Sequence, residues 1–223
     1  MGKFINIRAK DGHEMAAWRA DPAGQPRGRI VVIQEIFGVN GHIRDICDRF
    51  ADQGYTSVAP ALFDRQQRDF ATGYSEDEVA KARRLMNGFD WTAGALDVEA
   101  ARSLMSGDGP VAIVGFCLGG SIAWTTSAQS GYVASVCFYG GKILKSKDLR
   151  PKCPVQMHFG RADRGIPVNE VEEFAVSRPD IEVYLYDAGH GFNCDQRASY
   201  DAASAGAAMA RTMEFLAKAF EHG

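Results

Sequence analysis

The pattern with the most chemical potential is Gly115-Phe116-Cys117-Leu118-Gly119-Gly120, which follows the β-type run Val111 to Val114 and leads into a helix starting near Leu118. A nucleophile flanked by small residues at a strand-to-helix turn is a nucleophile elbow, here with Cys in the place usually held by Ser. The turn explains its glycines: the nucleophile's backbone is strained, and a side chain at either flanking position would collide with the strand or the helix. A thiol at that point sits over a helix N-terminus, where the dipole and unpaired N–H groups favour thiolate. The Leu118 N–H is then placed to face a developing oxyanion. The plain alternative is a buried cysteine packing as a small hydrophobe in an ordinary βα turn.

An elbow needs a base to take the nucleophile's proton and an acid to orient the base, and such folds supply them in the order nucleophile, acid, histidine. Asp163 follows the run Val155 to Phe159 in Gly160-Arg161-Ala162-Asp163-Arg164-Gly165, and His190 follows Glu182 to Tyr186 in Asp187-Ala188-Gly189-His190-Gly191. Three residues from three strand ends thus converge on one rim, where open α/β sheets bind ligands. The competing readings are a partnerless loop histidine, a turn or N-cap role for Asp163, and Asp187 as the acid. Asp187 fits less well, since it shares a loop with His190 and does not orient the ring from another strand. His158 lies inside a strand run and reads as a core or supporting group.

These loops need a frame. The 223 residues, 46% hydrophobic and 24% charged, are enough for one globular domain spanning 1–223. Phe4 to Ala9 and Glu14 to Arg19, joined at Asp11-Gly12, read as an antiparallel hairpin at the N-terminal edge. Arg29 to Gln34 is a continuous β-branched strand of the kind covered on both faces. A helix follows over His42 to Gln53, then a strand at Thr56 to Ala59. An excursion runs from Asp64 to about Asp77, ahead of helices over Glu78 to Met86 and Asp90 to Met105. Val133 to Tyr139 adds a strand and Ala198 to Phe220 a closing helix. Strands alternating with helices argue for parallel strands with crossover helices, and with the elbow and the order nucleophile, acid, histidine they predict the α/β-hydrolase fold: a mostly parallel sheet with an antiparallel N-terminal edge, helices on both faces and no large cap domain.

A net charge of -3 with no run of Lys or Arg argues against nucleic acid and membrane partners and for a small-molecule substrate. The five cysteines are scattered without a disulfide or zinc spacing, and the N-terminus has no apolar leader, so a cytoplasmic protein is expected. A redox or metal role for Cys117 and Cys194 lacks third and fourth ligands at suitable spacing. No metal and no cofactor is expected, and the chain is expected to act as a monomer or dimer.

Gln34-Glu35-Ile36-Phe37-Gly38-Val39-Asn40, the cysteine elbow and the Asp163 and His190 loops together resemble the dienelactone hydrolase (carboxymethylenebutenolidase) family over nearly the whole chain. The resemblance implies opening of an enol-lactone, carboxymethylenebutenolide, to maleylacetate through a thioester on Cys117. It implies that His190 is acid and base, Asp163 its orienter, and the Leu118 and Ile36 N–H groups the oxyanion hole. Glu35 matches the family's second carboxylate, which helps deprotonate the thiol; its alternative is a capping or salt-bridged surface residue. The family's two carboxylate-holding arginines fall by count at Val79 and Cys194, with Lys81, Arg83, Arg84 and Arg197 nearby. Phe37, Arg83, Tyr139 and Arg197 are the candidate substrate contacts. The alternatives are an esterase or lactonase for a less anionic substrate, and a non-enzymatic receptor on the same fold.

Overall fold

The computed structural model describes residues 1–222. The chain clusters into two compact units, Met1–Ala112 and Ile113–Gly223. In the first unit, β1 (Lys3–Arg8) and β2 (Glu14–Ala20) form the expected hairpin. The turn closes with Gly12 at φ 88° and a bond from the Ala9 N–H to the His13 carbonyl. β2 runs antiparallel to β4 (Tyr55–Pro60), and β4 runs parallel to β3 (Gly28–Ile33). Helix α1 (Gly41–Asp52) starts where the Asn40 side chain accepts the Ile43 N–H, and it buries Ile43, Ile46 and Phe50. Its spacing of apolar residues supplies one face for the sheet.

The excursion after β4 is pinned at its start. Buried Asp64 accepts the Ala16 N–H of β2 and the Asp69 N–H. Next to it, Arg65 bridges Asp97 of α3 (Trp91–Ser106) and Asp11 of the hairpin turn. Helix α2 (Glu76–Asn87) is mostly exposed, with Ala82 its buried residue.

β5 (Val111–Phe116) leads into the second unit, where β6 (Ser135–Phe138), β7 (Val155–Gly160) and β8 (Glu182–Tyr186) pair with it in that order, all parallel. β5, β6 and β7 are buried throughout, as strands covered on both faces must be. Helix α4 (Leu118–Thr126) starts one residue after Cys117. Among the strands of the described residues, antiparallel pairing is limited to β1 with β2 and β2 with β4, so the mostly parallel fold with an antiparallel N-terminal edge is as expected. No helix among the described residues is long and apolar enough to cross a membrane.

Several elements differ from the sequence expectation, α2 among them, which extends beyond the expected Glu78 to Met86 at both ends. The strand expected over Val133 to Tyr139 is only Ser135–Phe138, because Tyr139 turns out of it with φ 38°. The closing helix α6 spans Ala202–His222, not Ala198 to Phe220; the Asp201 carboxylate accepts the Ser204 N–H and sets its start. Helix α5 (Val168–Ser177), beginning after Pro167, was not expected.

The glycines of the elbow record close approach. A Cβ on Gly115 would strike the Gly119 carbonyl, and one on Gly120 the Phe138 carbonyl. Gly120→Ala is expected to lower stability by about 1–3 kcal/mol. Gly206→Ala, on an exposed stretch of α6 with no atom near the added methyl, is expected to raise it by about 0.5–1 kcal/mol. Urea unfolding of the two variants checks both signs.

Candidate active site

β5 pairs with β6 through Phe116 and Phe138, and the next residue, Cys117, leaves the strand at φ 54°, ψ -108°. Its N–H donates to the Phe138 carbonyl at 3.0 Å, and its own carbonyl accepts the Ser121 N–H of α4 at 3.2 Å. The thiol is thereby fixed at the first turn of a helix, next to the N–H of Leu118, which opens α4.

The other two loops are zipped together before they reach the thiol. β7 ends at Gly160 opposite Tyr186, the last residue of β8. The Arg161 N–H then donates to the Tyr186 carbonyl at 2.7 Å, and the Ala162 N–H to the Ala188 carbonyl at 3.0 Å. A Cβ on Gly160 would strike that same Ala188 carbonyl, so the approach needs glycine. Sequence reasoning passed over Gly160 and Ala162; a glycine at the end of a strand run three residues before an acid is the signal that marks them.

From this frame the Asp163 carboxylate reaches two donors. Oδ1 accepts the Gly165 N–H at 2.8 Å, and Oδ2 lies 2.6 Å from His190 Nδ1. The Asp163 side chain is 1% exposed and the His190 ring 30% exposed. His190 Nε2 lies 3.1 Å from Cys117 Sγ. A carboxylate only accepts, so Nδ1 carries a proton and Nε2 is left to exchange one with sulfur. Burial works against a charged His190. The hydrogen bonds to Asp163 and Cys117, with their charges, outweigh it and raise the pKa to about 10.

The structure therefore brings Cys117, Asp163 and His190 together. Asp187, the rival acid, is 97% exposed and sits 3.6 Å from Arg161. Tyr139 is fully buried with its ring 5.0 Å from that of His190. Arg197 lies against Gly191, where a Cβ would strike its guanidinium, so its charged head is one residue from His190 along the loop. In the first unit, Glu35 follows β3 at 1% exposure, which corrects the surface-residue alternative, and Ile36 beside it is half-buried. Phe37 is buried with its ring edge-on to Tyr74, and Arg83 is exposed on α2.

An elbow followed in chain order by an acid loop and a histidine loop, on strands joined by helices, defines an α/β-hydrolase. The chain belongs to the dienelactone hydrolase family, which it matches over residues 15–220. It is 36% identical to carboxymethylenebutenolidase of Pseudomonas putida across 96% of this chain and 95% of that one. Carboxymethylenebutenolidase 1 of Cupriavidus pinatubonensis is 32% identical over the same shares, 96% and 95%. A solved structure from Klebsiella pneumoniae subsp. pneumoniae, provisionally described as a dienelactone hydrolase, superposes with a TM-score of 0.81. That pair is 29% identical, with 96% of this chain and 97% of the other covered. The protein is accordingly a hydrolase acting on ester bonds.

The raised His190 pKa has a sign that can be checked. Because the folded value of about 10 exceeds the ordinary 6.5, the imidazolium adds stability in full below pH 6.5, and that contribution fades as pH rises through 10. Cys117→Ala removes one hydrogen bond and one charge that hold the proton. In that variant the His190 ring, followed by NMR, is expected to titrate at a lower pH, and the fading of stability is expected to begin earlier. A His190 titration unchanged by the substitution would contradict the coupling.

Proposed function

We propose that the protein is a cysteine-dependent hydrolase that opens an enol-lactone, such as carboxymethylenebutenolide, through a thioester on Cys117. The observation that carries this reading is the single line of contacts from Asp163 through His190 to Cys117 at a strained elbow. The sulfur attacks the lactone carbonyl carbon, and a tetrahedral adduct forms with its oxyanion facing the Leu118 N–H. The carbon–oxygen bond to the ring then breaks, and His190 Nε2–H protonates the departing enolate. The neutral imidazole next takes a proton from water as its oxygen adds to the thioester. Loss of the sulfur restores the Cys117–His190 pair and releases the acid. Asp163 keeps Nδ1 protonated throughout, which holds Nε2 in the right state for each transfer.

Glu35, as the carboxylate that helps deprotonate the thiol, and Ile36, as a second oxyanion donor, enter this reading through the family resemblance alone. The net charge of -3 and the unpaired spacing of the five cysteines support an enzyme that works on small molecules in a reducing cytoplasm, without nucleic acid, membrane or cofactor. A monomer or dimer suffices for it, because the three reacting side chains come from one chain.

A second substrate reading has its own support. Val79 and Cys194 stand where the family's carboxylate-holding arginines fall by count. That favours a lactone or ester with less negative charge, unless a neighbouring cation substitutes. Arg197, set against the His190 loop, is the best placed of those neighbours.

Two experiments follow. Cys117→Ala is expected to abolish turnover of 4-nitrophenyl acetate, and retained activity would remove the cysteine from the mechanism. In a panel of cis- and trans-dienelactone and neutral aryl esters, Arg197→Gln is expected to raise KM for the dienelactones about tenfold or more, the scale of a lost hydrogen bond to a charged group. Neutral esters should be unaffected. Equal effects on both classes would mean that Arg197 does not read the carboxylate.

A further inference from the structure

The strand ends that carry the three site loops are crossed by a row of stacked rings. Phe116, Phe138, His158 and Tyr184 are directly paired from β5 to β8. Their rings stack in turn: Phe116 on Phe138 at 4.7 Å and 23°, Phe138 on His158 at 4.5 Å and 26°, His158 on Tyr184 at 5.6 Å and 16°. The Arg211 guanidinium of α6 caps the row, 4.3 Å from the Tyr184 ring centre. Phenylalanine at position 158 would preserve such a stack, so the two ring nitrogens of His158 need a separate reason.

Their partners give it. Gln156 Nε2 donates to the Glu182 carboxylate at 2.9 Å, which turns Gln156 Oε1 toward His158 Nε2 at 3.0 Å. An amide oxygen only accepts, so Nε2 bears the proton, with Thr212 Oγ1 of α6 a second contact at 3.2 Å. His158 Nδ1 is left to accept from the Tyr186 hydroxyl at 2.9 Å, and that hydroxyl in turn accepts from Arg211 Nη1 at 2.9 Å. Donors therefore run one way, from Arg211 through Tyr186, His158 and Gln156 to Glu182. Burial first, and then the charge of Arg211, depress the His158 pKa to about 3, so the ring stays neutral and its direction of donation does not change.

Each site loop hangs on a residue of this row or its bonded neighbour. The Cys117 N–H is held by the Phe138 carbonyl, and the Tyr139 N–H by the His158 carbonyl at 2.8 Å. Tyr139 carries its ring against His190. The Tyr186 carbonyl holds the Arg161 N–H two residues before Asp163, and the Tyr186 ring packs at 5.1 Å on Phe192, two residues after His190.

We propose that His158 is a positioning residue for Cys117, Asp163 and His190, fixing through its two ring nitrogens the ends of β7 and β8 against α6 and, through its carbonyl and its stacked ring, the end of β6. The proposal rests on the reading that those three side chains do the chemistry.

Tyr186→Phe tests it, since it keeps the ring packing and removes only the hydroxyl that donates to His158. With 4-nitrophenyl acetate, kcat is expected to fall about tenfold, the scale of a small misplacement of reacting groups, with KM changed less than about twofold. In the same variant His190 is expected to titrate at a lower pH by NMR, because its bond to Asp163 loosens. A variant that melts earlier yet keeps wild-type kcat and a wild-type His190 titration would overturn the proposal. Arg211→Met, at the half-exposed end of the same chain of donors, supplies the measurement if Tyr186→Phe does not fold, and is expected to move both readouts in the same direction. Cys117→Ala runs alongside. Activity surviving in it would sink the cysteine mechanism, whereas the His190 titration of Tyr186→Phe would still decide the positioning role.

Discussion

The backbone of Cys117 is the constraint from which the site is built. A side chain at φ 54°, ψ -108° costs on the order of 1–3 kcal/mol and persists only where its surroundings leave no alternative. Here they leave none. β5 is held in register against β6 up to Phe116, the Cys117 N–H is taken by the Phe138 carbonyl, and α4 begins at the very next residue. Relaxing Cys117 would break that bond or move the helix, and the helix cannot move toward the sheet because Gly115 and Gly120 already bring backbone against backbone. The strain puts the sulfur at a helix N-terminus and within 3.1 Å of a base.

That dependence explains why the grouping of Cys117, Asp163 and His190 was legible in the sequence. An elbow, an acid loop and a histidine loop each follow a β run directly, so chain order and short spacing carry the geometry. Asp163 was separable from Asp187 on the same ground: an orienting acid must come from a second strand end, and the structure leaves Asp187 in solvent. The stacked row was not legible. Phe116, Phe138, His158 and Tyr184 are far apart in sequence, and only the strand register sets them side by side.

The fold expectations failed where the local signal was weak. Helix α5 has only Val171 and Phe174 buried, and in its ten residues the apolar spacing Val168, Val171, Phe174 is too short to make a sustained stripe. Tyr139 has the aromatic character of a strand residue and continues an apolar run, yet it turns out of β6 beneath His190. At α6 Ala198, ahead of Asp201, has helical propensity, but the capping carboxylate decides the boundary.

The same physics sorts side chains of one type into different roles. Burial is the main cause that pushes the thiols of Cys47 and Cys137 up to about 12 and that of Cys153 to about 11, which leaves them as small core residues. Cys117 is partly exposed and has an imidazole as its partner. His158 and His190 diverge more widely. His190 faces a carboxylate and a sulfur and rises to about 10; His158 is lowered by burial first and then by the Arg211 guanidinium, and falls to about 3. A protonatable ring is thus set where, in the proposed mechanism, a proton must move, and a ring held neutral at ordinary pH where only direction is needed. In the proposed mechanism the first serves as acid and base, and in the proposed positioning role the second, with its neighbours, gives the strand ends the single arrangement this needs.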